Sequence, residues 1–169
     1  MYERVLVPLD GSRLAEGILP FLLQIASPLD LEVVLTYVVQ PIAPQAVEGT
    51  RHFTVYDMAA RLKEAREYLA AVAVNLREGG VRVTTDVRHG EPVAEIVAAA
   101  RETGASLIAM TTHGRTGFGR LLFGSVAEAV LRQAEIPVLM MRLTERRAMA
   151  SSGAAAVSAG GTDESDERD

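Results

Sequence analysis

One stretch near the carboxyl terminus decides the fold: residues 106–141, SLIAMTTHGRTGFGRLLFGSVAEAVLRQAEIPVLMM. Its first five residues form a short apolar run that predicts a buried strand, and a glycine-rich loop follows. Residues 125–133 have the apolar spacing of a helix, and residues 136–141 form a second apolar run. A strand, a helix and another strand in this order are typical of parallel strands joined by a crossover helix.

The same alternation extends back to the amino terminus. Further strands are predicted at 4–9, 31–39 and 81–87, and further helices at 13–26, 61–77 and 91–102. Ser12 is placed to cap the first helix, and Ser125 with Glu128 forms a capping-box pattern at the last one. The sequence therefore predicts an α/β fold: an open five-stranded parallel sheet with helices on both faces. A long linker is expected at residues 40–57.

Composition limits the function. The chain has 169 residues, no cysteine, 5% aromatic residues and a net charge of −5. Absence of cysteine excludes disulfides and thiolate metal sites, and the acidic balance and scarce aromatics argue against nucleic acid as a partner. No apolar run is long enough to span a membrane and no signal peptide is apparent, so we expect a cytoplasmic protein.

The last residues differ from the rest in composition. Residues 144–169 are rich in alanine, glycine and serine and end in a cluster of acids. Such a segment buries too little apolar surface to offset its ordering entropy. We therefore expect one folded domain at residues 1–143 and a disordered acidic tail at residues 144–169.

Ligands of open parallel sheets bind beyond the carboxyl ends of the strands, where the strand order reverses. Asp10 follows the first strand, and Gly114, Gly117, Gly119 and Gly124 lie between the fourth strand and the last helix. Glycines before a helix amino terminus favour a phosphate site, because backbone N–H groups there are free. The alternative is that these glycines only form turns, and that Asp10 and Ser125 only cap helices.

Sharper nucleotide motifs are missing. There is no G-x-x-x-x-G-K-[ST] sequence, and the only lysine is Lys63, within a predicted helix. A P-loop NTPase is therefore excluded. The first strand is followed by Asp10-Gly11-Ser12-Arg13 rather than by a dinucleotide fingerprint, which disfavours an NAD-dependent enzyme.

Residues 111–125 resemble the loop of the universal stress protein family, whose ATP-binding members carry G-x2-G-x9-G-[ST]. Gly114 matches the second glycine and Gly124-Ser125 the end of the motif, whereas Thr111 stands where the first glycine belongs. The first strand with its turn (residues 5–12) and the last strand (residues 136–141) are also similar to the family's. The resemblance covers about residues 2–143.

The resemblance implies strand order 3-2-1-4-5 in a Rossmann-like fold related to the adenine nucleotide alpha hydrolases. It also implies ATP as ligand, with or without Mg²⁺. Asp10 would meet the ribose hydroxyls, Val38 and Met110 would line the adenine pocket, and Gly124 would border the phosphates. The full set of expected nucleotide-binding residues is Pro8, Leu9, Asp10, Val38, Met110, Thr111, Gly114, Arg115, Gly124, Ser125 and Val126.

The function implied is that of an ATP-binding stress-response regulator in which nucleotide occupancy changes a loop and a surface seen by a protein partner. A homodimer is expected through the last strand, at Ile136, Val138 and Met140. The alternatives are a dimeric interaction module that binds no nucleotide, with Thr111 filling the site, and a slow ATP hydrolase. The residues indicate no dedicated metal site and no catalytic base, so no enzyme activity is assigned.

Overall fold

The structure is a computed structural model that describes residues 3–41, 53–113 and 124–143. Strands and helices alternate along these residues. The strands are β1 (Arg4–Leu9), β2 (Glu32–Val39), β3 (Arg82–His89), β4 (Leu107–His113) and β5 (Val138–Leu143). The helices are α1 (Arg13–Glu16), α2 (Leu19–Ile25), α3 (Phe53–Glu78), α4 (Pro92–Glu102) and α5 (Ser125–Gln133).

All five strands form one parallel sheet in the order β3-β2-β1-β4-β5, which confirms the predicted fold. The chain starts at β1 in the middle and builds outward through β2 to β3. It then crosses back and adds β4 on the other side of β1, followed by β5. The strand order thus reverses between β1 and β4, where open α/β sheets bind their ligands.

Helices cover both faces of the sheet, as predicted. On one face, Leu22 of α2 and Leu69 and Leu76 of α3 pack on the buried side chains of β1 and β2. On the other face, Ile96 of α4 and Val130 of α5 pack on β1 and β4. Burial on both faces explains why the central strand β1 is a continuous apolar run, whereas the edge strand β3 mixes polar with apolar residues.

The prediction of one helix over residues 13–26 is wrong, because the segment forms two short helices. α1 ends at Glu16 with Gly17 as its C-cap, and α2 begins at Leu19 with Pro20 in its first turn. Proline has no N–H, so Pro20 cannot donate to the Glu16 carbonyl four residues earlier and a continuous helix loses that hydrogen bond. The apolar spacing of residues 14–25 survives the break, which is why periodicity alone missed it.

Three other boundaries move. α3 begins at Phe53 rather than residue 61, which shortens the predicted 40–57 linker; residues 50–60 contain neither glycine nor proline to stop a helix. β4 continues past Met110 to His113, because its polar last residues pair with β5. β5 begins at Val138, so Ile136 precedes the strand. The predicted tail, 144–169, lies outside the described residues.

Candidate functional site

A crevice opens where β1 and β4 separate. β1 pairs with β2 along its whole length, from Arg4 to Leu9, but pairs with β4 only at Val5 and Leu6. Beyond that point comes Pro8, which has no N–H to donate to a ladder. The two strands diverge toward their carboxyl ends and leave a crevice of about 260 Å³ between them.

One side of the crevice is mainly apolar. The end of β2 contributes Val38, the start of α4 contributes Pro92 and Ile96, and β4 contributes Met110. Of these side chains, those of Ile96 and Met110 are buried. A surface of this kind suits a flat apolar group such as a nucleobase.

The turn after β1 places a carboxylate at the crevice. Asp10 Oδ1 accepts a hydrogen bond from the Ser12 N–H at 2.9 Å, and Ser12 Oγ accepts from the Ala15 N–H at 3.1 Å. Ser12, as predicted, is therefore the cap of α1, and Asp10 is not. Gly11 has φ +79°, which a residue with a Cβ rarely adopts. The turn leaves Asp10 exposed, with Oδ2 unbonded within the described part of the chain.

The amino terminus of α5 faces the crevice without a side-chain cap. The capping residue is Gly124, and Ser125 is the first residue of the helix, so the predicted capping box is wrong. Glu128 instead forms an ion pair with Arg132 at 2.7 Å. Within the described residues no side chain caps this end of α5, so its first-turn N–H groups and the Ser125 hydroxyl have no side-chain partner there, and the helix dipole favours an anion.

Gly124 has no structural reason to be glycine within the described residues. Its φ is −59°, which any residue adopts, and an added Cβ would meet no atom within 4 Å. The space in front of it belongs to the crevice, which Gly124 lines. The open space at Gly124 leaves the backbone accessible to a ligand from the side of the crevice.

Thr111, the departure from the glycine motif, is an ordinary strand residue. It lies in β4 opposite Met141, and among described non-glycine residues only Asp30 has a positive φ. The position therefore needs no glycine for conformational reasons. The Thr111 hydroxyl donates to the Leu14 carbonyl of α1 at 2.8 Å.

Residues 10–16, called the α1 wall below, form one side of the crevice and are also held from α3. The Tyr68 hydroxyl donates to Glu16 Oε1 at 2.8 Å, and the Tyr68 ring meets the Tyr37 ring edge-on with centroids 5.8 Å apart. Burial, and then the neighbouring Glu16 carboxylate, raise the pKa of the Tyr68 phenol well above its usual range. Tyr68 therefore remains a protonated donor at neutral pH.

The structure brings most of the expected nucleotide-binding residues together at this crevice. The residues that line it are Pro8, Leu9, Asp10, Val38, Met110, Thr111, Gly124, Ser125 and Val126. Gly114 and Arg115 lie outside the described residues. Among the described lining residues, Asp10 carries the only charge.

Sequence reasoning missed several lining residues, among them Leu14, Gln40, Pro92 and Ile96. The prediction considered only residues that follow strands, and Leu14, Pro92 and Ile96 lie on helices. The available signal was Pro92: a helix that starts directly after β3 starts at the same edge of the sheet as the ends of β1 and β2.

The described residues contain neither a cluster of metal ligands nor a helix that could span a membrane. Within residues 3–41, 53–113 and 124–143, no three histidine, aspartate or glutamate side chains are grouped so that they could hold a metal ion. In the same ranges, no helix combines the length and the apolar character needed to cross a membrane.

The fold is an open α/β sheet with a crevice at the reversal of strand order. The model of the universal stress protein family matches residues 1–142. Universal stress protein MJ0531 of Methanocaldococcus jannaschii is 35% identical over 146 residues, which cover 84% of this chain and 83% of that protein. The chain belongs to the universal stress protein family.

Solved structures of universal stress proteins are similar to this fold. That of MJ0577, from the same organism, has a TM-score of 0.71 and 28% identity, covering 86% of this chain and 99% of that one. A universal stress protein of Archaeoglobus fulgidus in complex with dAMP has a TM-score of 0.59 and 25% identity, covering 82% and 97%. Another, in complex with cAMP, has a TM-score of 0.56 and 25% identity, covering 83% and 97%.

Proposed function

We propose that this chain is an ATP-binding regulatory protein of the stress response that acts in the cytoplasm as a homodimer. ATP, with Mg²⁺ as its counterion, occupies the crevice between β1 and β4. The adenine lies against the apolar side formed by Val38, Ile96 and Met110, the ribose meets Asp10, and the phosphates meet the start of α5.

The observation that carries the proposal is the uncapped start of α5 at Gly124, opposite a carboxylate. Free N–H groups and the positive end of a helix dipole suit phosphate oxygens, and Gly124 leaves room for them to approach. The Asp10 carboxylate suits hydroxyl donors, and its Oδ2 has no hydrogen bond within the described residues. The crevice therefore offers N–H donors for a phosphate and a carboxylate acceptor for sugar hydroxyls. A nucleotide carries both groups, so it fits the crevice better than a phosphate or a sugar alone.

The relatives support an adenine nucleotide. The two neighbours solved with cAMP and dAMP have the same fold, and both of their ligands combine adenine, a sugar and a phosphate. The apolar side of the crevice here provides a surface for such a base, and the volume of about 260 Å³ is close to the lower bound of typical small-molecule sites. The triphosphate requires the additional donors of the 111–124 loop, to which Gly114 and Arg115 belong.

Regulation follows from the position of the site. Nucleotide contacts with Gly114, Arg115 and Gly124 would set the arrangement of the segment that joins β4 to α5, and this would change the surface presented to a protein partner. Homodimer formation is proposed along β5, an edge strand of the sheet. Val138 and Met140 remain partly exposed on it, and an edge of this kind is normally covered.

The test is a thermal-shift titration of the full chain with Mg-ATP, with Mg-tripolyphosphate as the ligand that lacks base and ribose. At a free ATP concentration 100 times the dissociation constant, bound ATP adds about 2.7 kcal/mol to the free energy of unfolding. We expect a saturable rise in melting temperature with ATP and a much smaller one with tripolyphosphate. No shift at millimolar Mg-ATP would reject the proposal and favour the interaction module that binds no nucleotide.

A further inference from the structure

The α1 wall has little apolar anchoring of its own, although the partly buried Ala15 packs against the core. α1 has four residues, and none of them is buried. The wall nevertheless contributes Asp10, Ser12, Leu14 and Ala15 to the crevice. Its position therefore depends largely on contacts other than burial of its own side chains.

Two long-range hydrogen bonds reach α1 from different elements. Thr111 in β4 donates to the Leu14 carbonyl at 2.8 Å, and Tyr68 in α3 donates to Glu16 Oε1 at 2.8 Å. The residues they join are 97 and 52 positions apart in the chain. The first bond ties the wall to the strand across the crevice, and the second ties it to the helix behind it.

The turn that carries Asp10 is supported by the same group of side chains. The Tyr37 ring lies 3.9 Å from the position of a Cβ on Gly11, and its hydroxyl contacts the Asp10 carbonyl at 3.4 Å. Tyr68 meets the Tyr37 ring edge-on. Tyr68 therefore supports α1 through its hydroxyl and the turn that holds the carboxylate through its ring.

We propose that Thr111 and Tyr68 are positioning residues that hold the α1 wall in place and thereby set the affinity of the crevice for nucleotide. The proposal deepens the function proposed above and rests on it. In this proposal Thr111 does not obstruct nucleotide binding. Its hydroxyl instead holds the α1 wall, which carries the Asp10 carboxylate proposed to bind the ribose. The Leu14 carbonyl also accepts from the Gly17 N–H at 3.0 Å, so removal of the Thr111 hydroxyl leaves no orphaned acceptor.

Three substitutions at Thr111 distinguish two hypotheses: that its hydroxyl tethers the α1 wall, and that its side chain obstructs the nucleotide site. Thr111→Val keeps the volume and removes the hydroxyl, Thr111→Ser keeps the hydroxyl and removes the methyl group, and Thr111→Gly restores the motif and removes both. For Mg-ATP measured by calorimetry, the tether predicts a dissociation constant roughly threefold to tenfold higher for the valine variant. It predicts a value within about twofold of wild type for serine, and weakening for glycine. Obstruction predicts the reverse: tighter binding for glycine and serine, and no change for valine.

The part of the nucleotide affected is a second readout. The wall carries the residue proposed to meet the ribose hydroxyls, so the penalty of Thr111→Val should shrink when 2′,3′-dideoxy-ATP replaces ATP. A general loss of structure would weaken both ligands equally. Tyr68→Phe, which removes the other tether from outside the crevice, should show the same preference.

Hydrogen exchange tests the tether in the ligand-free protein. The N–H groups of Ala15, Glu16 and Gly17 are hydrogen-bonded within the wall, and they should exchange faster in Thr111→Val and in Tyr68→Phe than in wild type. The Glu95 and Thr103 N–H groups of α4 serve as the control and should not change. Unchanged exchange in the wall overturns the tether even if ATP binding weakens.

The outcomes distinguish the two proposals. If wild type binds no ATP, the proposed function fails, and the affinity role of the tethers fails with it. If wild type binds ATP and Thr111→Val binds it equally well, only the tether is overturned.

Discussion

Gly124→Ala separates a requirement of the ligand from a requirement of the fold. Gly124 caps α5 with φ −59°, and an added Cβ meets no described atom within 4 Å. The substitution therefore introduces neither backbone strain nor a clash with those residues. It places a methyl group where we expect phosphate oxygens to approach the helix.

Two estimates predict the size of each effect. As an N-cap, alanine is less stabilising than glycine by about 0.5–1 kcal/mol. Alanine also lowers the entropy of the unfolded chain, which stabilises the folded protein by about 0.4–1 kcal/mol. The free energy of unfolding should thus change by less than about 0.5 kcal/mol. Loss of one hydrogen bond to a charged phosphate costs about 1.5–3 kcal/mol, which raises the dissociation constant of ATP roughly tenfold to a hundredfold.

Calorimetry with Mg-ATP and urea unfolding of the ligand-free protein measure the two effects separately. Gly80→Ala is the matched control, because Gly80 has φ +79°, which a residue with a Cβ rarely adopts, and it does not line the crevice. It should lower stability and leave ATP affinity unchanged. If Gly124→Ala binds ATP as wild type does, the phosphates do not meet the start of α5 and the reasoning is refuted.

Four further substitutions test other parts of the account. Asp10→Asn keeps an acceptor for the Ser12 N–H, and calorimetry should show about tenfold weaker ATP binding but unchanged 2′,3′-dideoxy-ATP binding; equal losses would remove Asp10 from the ribose. Ser125→Ala should weaken ATP binding and leave the urea midpoint unchanged, since the hydroxyl caps nothing; a lower midpoint would restore it as a cap. Met140→Lys should convert a dimer to a monomer in sedimentation, and a monomeric wild type would contradict the β5 interface. The Arg88 guanidinium lowers the pKa of Glu102 below its ordinary 4.5, so the ion pair stabilises the fold above that pH and is lost as pH falls through the lower folded value. Wild type should therefore lose stability more steeply than Glu102→Gln below pH 4.5 in urea unfolding, and parallel slopes would refute the coupling.

The sheet was predictable because its strands are buried on both faces. β1 and β2 are largely apolar runs in the sequence and contribute half of the largest fully buried side chains, so pattern and structure report the same burial. Prediction was wrong where a local break opposed the pattern. Pro20 divides a helix whose apolar spacing continues. The polar residues Thr111 and Thr112 end the apolar run of β4, although they still pair with β5.

The site was predictable at the residues that follow strands and unpredictable at those brought in by packing. Asp10 and Gly124 could be placed because chain order puts the ends of β1 and β4 at one edge of the sheet. Ile96 reaches the crevice only through the packing of α4 on β2, which no local pattern reports. The hydrogen bonds of Thr111 and Tyr68 to α1 join residues 97 and 52 positions apart and required coordinates.

Native mass spectrometry of the freshly purified full chain tests the central claim most directly, since it reports bound ligand and assembly state together. We predict a dimer whose mass exceeds two chains by two ATP molecules, and loss of that added mass in Gly124→Val. A wild-type protein that carries no nucleotide, and takes none up after incubation with millimolar Mg-ATP, would contradict it.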